Sequence, residues 1–356
     1  MRPFTKTVAV TGLNATDNPG PGVAVIRALR QSPNFQGKIV GLAYDALDPG
    51  LYLPGLVDAA FLIPYPSAGR EALFARLQYI CENYGIDVLI PTLDSELPAL
   101  VGQEEALREM GIETYLPRAQ ELEKRAKANL YRLNDDYHLP VPKSVTLTSV
   151  EPLFSLHERM KFPVVVKSVF YGAETVYSPD EAVAAFHRAA AKWGMPVIVQ
   201  QHVKGEEYNV AAIGDGEGGL IGAVAMKKIL LTDLGKGWAG VTIADNALLD
   251  LAAGIVKALS WRGPCEIEVI RDDAGQFHLL EINPRFPAWI DLTAGAGQNH
   301  PLAAVRLAMG EEVEPLLSYT TGMAFVRISI DQILPISEIA AISTIGEVVS
   351  ASRKSA

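Results

Sequence analysis

The stretch from Gly263 to Pro287, GPCEIEVIRDDAGQFHLLEINPRFP, limits the folds open to this chain more than any other. Two runs rich in β-formers, residues 265–271 and 276–282, flank Asp272-Asp273-Ala274-Gly275, which is an antiparallel hairpin pattern. With a four-residue turn Glu266 pairs with Glu281 and Glu268 lies diagonal to it. A period of two then sends Glu266, Glu268, Glu281 and Asn283 to one face. Cys265, Ile267, Val269, Leu280 and Ile282 take the other face and suit a core. The three carboxylates repel one another unless a cation neutralises them. A carboxylate and amide set without His or Cys suits a hard ion, Mg²⁺ or Mn²⁺, of the kind that also holds substrate phosphates. The same residues read equally well as a solvated hairpin face, and a turn one residue shorter or longer undoes the face.

Composition narrows the class. At 356 residues, 49% hydrophobic and 20% charged, the chain has the material for large cores and divides into two or three domains. A formal charge of -10 disfavours nucleic acid and anionic membrane as partners, while leaving room for a local basic pocket for phosphates. Cys81 and Cys265 both sit in apolar surroundings, so a disulfide framework or cysteine-rich metal site is not expected, and a reducing cytoplasm is. No signal-type start and no apolar run near the roughly 20 residues of a membrane span is visible.

In chain order, residues 7–11 read as a buried strand, 12–22 as a Gly/Pro-rich turn and 23–30 as a helix. Strands at 38–44 and 87–91 and a helix at 71–84 continue an α/β alternation, hence a parallel sheet covered on both faces. Gly12, Gly20 and Gly22 lack the G-x-G-x-x-G spacing, which argues against NAD or FAD. Asp94 and Glu96 follow a strand's carboxyl end, where ligand groups gather in such sheets; they also suit helix capping. The charged helical stretch 119–137 ends at two prolines and marks a junction. Beyond it, Phe162-Pro-Val-Val-Val-Lys167 is a strand delivering a lysine, and Ser178 caps a helix begun by Pro179. Strands at 197–203, 208–213 and 220–229, a mobile Gly-rich stretch at 234–240 and a helix at 246–260 lead into the hairpin. A helix follows at 295–310, and short strands and helices at 320–350.

With Lys127, Lys167, VQQHVKGEEYNV and LLEINPRF in this order, residues 1–310 resemble the ATP-grasp superfamily. The nearest groups are the carbamoyl-phosphate synthase large chain, biotin carboxylase and D-alanine:D-alanine ligase. IDVLIPTLDSE is typical of the domain that precedes the grasp in that family. The resemblance implies an α/β and α+β protein: a Rossmann-like parallel α/β domain over residues 1–115, and a two-lobed ATP-grasp domain over 116–310, with lobes at 116–199 and 200–310. Residues 311–356 form a C-terminal extension.

The resemblance also implies roles. Lys127 and Lys167 become the cations on the ATP phosphates, and Gln200 takes the adenine-contacting place with main-chain contacts from Gln201 and Val203. Glu207 holds ribose, Glu268 and Glu281 hold Mg²⁺ or Mn²⁺ with help from Asn283, and Arg285 stands near the reacting phosphate or substrate carboxylate. Lys227 or Lys228 stands near the γ-phosphate. The implied activity is ATP-dependent ligation of a small-molecule or peptide carboxylate to an amine or thiol through an acyl phosphate, with ADP and phosphate released. A homodimer is compatible with it. Two alternatives stay open: a biotin-carboxylase-like activation of bicarbonate, and a nucleotide-binding sensor or scaffold without turnover. The sequence departs from the family at the bulky loop 168–174, where relatives carry a glycine-rich phosphate cover, and at Phe286-Pro287-Ala288-Trp289 after the N-P-R triplet. Trp289 reads either as an acceptor-site wall or as core. A single grasp copy disfavours carbamoyl-phosphate synthase itself.

Overall fold

The computed structural model of the chain describes residues 2–15, 19–169, 172–232, 235 and 237–349. The chain forms two compact units from interleaved segments. Met1–Ala119, Val210–Glu266 and Asn283–Ala356 make the first, and Gln120–Asn209 with Ile267–Ile282 the second. The division into 1–115, 116–310 and 311–356 runs along the chain, whereas these units are assembled from non-consecutive pieces.

In the first unit, β1 (Val8–Val10), β2 (Ile39–Ala43), β3 (Ala59–Leu62) and β4 (Val88–Ile90) run parallel in the order β3-β2-β1-β4. All residues of β1, β2 and β4 are buried, as expected of a sheet covered on both faces. Helix α1 (Gly22–Arg30) turns Val25, Ile26, Ala28 and Leu29 inward, the spacing of an amphipathic helix. Its first residue is glycine because a Cβ there would lie 2.0 Å from the Thr11 carbonyl oxygen. Part of the turn expected at 12–22, residues 16–18, lies outside the described residues. Helix α2 (Arg70–Asn83) buries Leu73, Leu77 and Ile80. Strand β3 was not anticipated, since its apolar run AAFL is too short to show a period.

The second unit holds a four-stranded sheet of β5 (Ser144–Leu147), β6 (Val164–Ser168), β7 (Ala173–Val176) and β8 (Val197–Gln201), ordered β5-β8-β6-β7 with antiparallel neighbours. The helix Pro179–Trp193 packs its Ala182, Ala185 and Phe186 into the core made with Val164, Val166, Val176, Val197 and Val199. As anticipated, Ser178 is its cap: the hydroxyl accepts from the Glu181 N–H at 3.2 Å while the Glu181 carboxylate accepts from the Tyr177 N–H at 2.9 Å. The stretch 119–137 holds two short helices, Ala119–Lys124 and Arg132–Tyr137, in place of one.

A six-stranded sheet contains β9 (Gly205–Asp215), β10 (Leu220–Leu231), β11 (Gly237–Thr242), β12 (Arg262–Asp272), β13 (Phe277–Asn283) and β14 (Ala324–Val326), in the order β13-β12-β9-β10-β11-β14. Strand β11 occupies much of the stretch expected to be a mobile glycine loop; Leu234 and Lys236 lie outside the described residues. Gly240 faces Lys228 across β10, and a Cβ on it would come within 2.4 Å of the Met226 sulfur. Helix Asn246–Leu259 is capped by Asp245, which accepts from the Leu248 N–H at 3.1 Å. The region past residue 311 supplies edge strands to two sheets of the first unit's segments, β14 and β15 (Glu347–Val349), the latter antiparallel beside β3. Arg76 secures β15 by donating to the Leu62 and Gly346 carbonyls at 2.9 and 2.8 Å. Among the described residues no helix is long and apolar enough to cross a membrane.

Candidate functional site

The hairpin β12–β13 forms, with a different turn. The Asp272 N–H donates to the Gln276 carbonyl and the Gly275 N–H to the Asp272 carbonyl, both at 2.9 Å, so three residues, 273–275, connect the strands instead of four. Gly275 takes φ 82°, a left-handed conformation that glycine adopts without strain. The Asp272 carboxylate draws its own residue into the ladder by accepting from the Ala274 and Gln276 N–H groups at 3.0 and 2.9 Å.

Alone, that shorter turn would put Glu281 on the face opposite Glu268. Along β13, Phe277 and Leu279 are buried and His278 and Leu280 half-buried; then the alternation slips, with Glu281 half-buried and Ile282 and Asn283 buried. Leu279, not Leu280, therefore belongs to the core with Cys265, Ile267, Val269 and Ile282. The outcome is that Glu281 and Glu268 both act on one ammonium, that of Lys167.

Within the second unit, Lys127 pairs with Glu281 at 3.1 Å. Lys167, near the end of β6, donates to the Gln200 side-chain oxygen at 2.7 Å from the same face of the sheet, since Lys167 opposes Ile198 and Val165 opposes Gln200. Burial holds the Lys167 ammonium below the ordinary lysine range, and Lys127 adds to that; Glu281, Glu268 and Glu207 oppose it. Five of the expected residues thus form one electrostatic cluster. Gln200 is buried, with its carbonyl turned to Lys167. Gln201 is exposed and its N–H donates to the Lys143 carbonyl at 2.8 Å. Val203 lies half-buried in the link between β8 and β9. Phe170 and Tyr171 of the bulky loop 168–174 lie outside the described residues.

A second cluster lies wholly in the first unit. Arg285 donates from Nε to Asp94 Oδ2 at 3.0 Å and from Nη1 to Glu266 Oε2 at 3.1 Å and the Phe286 carbonyl at 3.2 Å. Glu266, buried, also accepts from Trp289 Nε1 at 2.7 Å and Asn283 Nδ2 at 3.2 Å. Both Glu266 oxygens therefore already accept from donors. The expected gathering of three carboxylates is corrected to two, because a buried carboxylate is stabilised by fixed donors at its own position. Among the described residues no group of three or more His, Cys, Asp or Glu side chains is arranged to hold a metal ion. Trp289 is core, and its indole N–H orients Glu266 as well.

Lys227 and Lys228 oppose Val241 and Gly240 and so point to opposite faces. Lys228 shares the face of buried Met226, and its stem passes 4.0 Å from a Cβ built on Gly237. The Gly237 carbonyl accepts from the Nε of Arg327, a residue not among those expected, at 3.0 Å. Burial lowers the Arg327 pKa, and the charge of Glu266 opposes that. A lone arginine inside the apolar alternation AFVRISI was the available signal.

Comparison with known proteins fits this arrangement. The family described as "ATP-grasp in the biosynthetic pathway with Ter operon" matches residues 195–329. A D-alanine–D-alanine ligase of Pseudomonas entomophila (strain L48) is 27% identical over 161 residues, 41% of this chain and 49% of that protein. The chain spans about half the length of the curated relatives it matches. Biotin carboxylase from Campylobacter jejuni, solved as a β-γ-ATP complex, superposes with a TM-score of 0.70 at 17% identity, covering 89% of this chain and 74% of that one. An L-amino acid ligase from Bacillus licheniformis gives 0.63 at 16% identity, covering 87% and 75%. The fold is that of the ATP-grasp proteins.

Proposed function

We propose that the protein is an ATP-dependent ligase that joins a carboxylate to an amine, or to a thiol, through an acyl phosphate. The observation that carries this reading is the cluster of Lys127, Lys167, Glu207, Glu268 and Glu281, which combines cations suited to phosphates with carboxylates suited to a hard ion. Oxygen donors from Glu268 and Glu281 suit Mg²⁺ or Mn²⁺. Bound there, the ion would neutralise charge on the phosphates.

The remaining work falls to the chain's own residues. Lys127 and Lys167 hold the phosphates while a carboxylate oxygen of the substrate attacks the γ-phosphorus and the bond to ADP breaks. The amine then attacks the acyl carbon, phosphate leaves, and the nitrogen loses a proton. Gln200, the Gln201 carbonyl and Val203 suit the adenine edge, and Glu207 suits the ribose hydroxyls. Arg285 is the cationic group proposed for the reacting acid, with Lys228 of β10 and Arg327, just past β14, as further cations. Both substrates are proposed to be small molecules or peptides. The test is a screen of paired carboxylic acids and amines, amino acids first, for ADP release. With the acid ¹⁸O-labelled in its carboxylate, the phosphate released must carry ¹⁸O; unlabelled phosphate from a productive pair contradicts the acyl phosphate.

A further inference from the structure

Of the acids that precede the hairpin, Asp94 and Glu96 have no role in the reaction as proposed above. Glu96 is buried where three parallel strands end. Its carboxylate accepts from the Thr11 hydroxyl at 2.7 Å after β1 and the Tyr44 hydroxyl at 2.5 Å after β2, and from the Thr92 and Leu93 N–H groups at 3.0 and 3.1 Å after β4. A further pair of bonds, Thr92 N–H to the Thr11 hydroxyl at 2.9 Å and Thr92 hydroxyl to the Thr11 carbonyl at 3.0 Å, ties β1 to β4 at the same point. The segment 92–96 is thereby fixed to the sheet. It carries Asp94, whose Oδ2 lies 3.0 Å from Arg285 Nε.

Arg285 is thus held along two edges of its guanidinium by carboxylates from distant parts of the chain, Asp94 and Glu266, and its Nη1 also meets the Phe286 carbonyl. A planar guanidinium bound on two edges keeps one orientation, whereas a single contact leaves it free to pivot. We propose that Asp94 is a positioning residue that sets the orientation of Arg285, and that Glu96 serves it by fixing the segment that presents Asp94 to the strand ends. The α/β sheet of the first unit then contributes to the reaction geometry through one ion pair, not only to stability. Burial pushes the Glu96 carboxyl up, opposed by the bonds from Tyr44, Thr11, Leu93 and Thr92, in keeping with a group held in place by its donors.

The catalytic part of this inference rests on the ligase reading; the positional part does not. With ¹⁵N-labelled arginine, the Nε–H resonance of Arg285 is assigned by its loss in Arg285→Lys, and its exchange with water is measured. Loss of a charge-assisted hydrogen bond in Asp94→Ala should speed that exchange roughly 10- to 100-fold, and Asp94→Glu should recover part of the protection. Glu96→Gln keeps the shape of the anchor and should give a smaller acceleration. Unchanged exchange in Asp94→Ala overturns the proposal, whatever the enzyme does. Turnover is read with ATP, Mg²⁺, hydroxylamine and a mixture of the L-amino acids. Asp94→Ala should lower kcat about 10- to 100-fold with the KM for ATP unchanged, and the Asp94→Ala/Arg285→Ala double variant should be no slower than Arg285→Ala alone. Additive losses, or a raised KM for ATP with kcat intact, overturn the positioning role. A wild-type protein silent in this mixture counts against the ligase reading, while the exchange measurement still decides whether Asp94 orients Arg285.

Discussion

Burial and charge pull the Lys167 ammonium in opposite directions, and a bound triphosphate would settle the contest by adding negative charge where Glu281, Glu268 and Glu207 already act. Lys167→Ala should therefore weaken ATP binding by roughly 10- to 100-fold, the worth of a charge-assisted bond of about 1.5–3 kcal/mol. Adenosine, which lacks the phosphates, should be nearly unaffected. Calorimetry of both ligands checks this, and equal losses would make the lysine structural. Glu281→Gln should abolish turnover and the metal dependence of nucleotide binding. Its melting temperature should barely move, since the Lys127 pair it loses is partly exposed and relief of repulsion with Glu268 offsets the loss. At His300, fully buried with its Nε2 against the Gln298 side-chain oxygen at 2.9 Å, burial lowers the pKa to about 3. The folded state resists protonation there while the unfolded chain takes a proton near pH 6.5, so stability is present above that pH and declines as pH falls toward 3. Urea midpoints across this window should fall by an amount worth a few kcal/mol, and His300→Gln should flatten the decline.

The hairpin shows which features of an element can be read from residues and which cannot. Its strands and its glycine turn were legible, because β-formers and turn formers alternate in the sequence. Its turn length was not: Asp272 looks like a turn residue, yet its side chain caps the turn and leaves its backbone in the ladder. The slip in β13 was hidden as well, since Leu279 and Leu280 are the same residue type and pattern cannot say which is inside. Glu268 and Glu281 nonetheless both act on Lys167. Strand β11 was misread for a related reason: its glycines suggested a loop, whereas Gly240 makes room for Met226. Helix caps were more legible. Ser178→Ala should cost about 1 kcal/mol of stability, measured as a lower urea midpoint in the second unit, and no change would show that Glu181 alone closes that end.

For the molecule as a whole, the ATP-grasp fold was legible through the order of short motifs, each weak by itself. The way segments combine was not. Residues 210–266 and 283–356 join residues 1–119 in one unit, and the end of the chain adds β15 to the first sheet; no local pattern encodes such long-range pairing. The same limit hid Arg327, which gains its meaning from Gly237 and Glu266, far away in sequence. Asp94 was visible as a residue at a strand end, but its partner Arg285 was not. The central claim is the route of phosphoryl transfer. Lysines and metal-binding carboxylates would stabilise attack at the α-phosphorus as well as at the γ-phosphorus, so the nucleotide product is the discriminating quantity. With an acid found to support turnover, ATP, Mg²⁺ and hydroxylamine in place of the amine, the account predicts ADP together with the hydroxamate of the acid; AMP and pyrophosphate would contradict it.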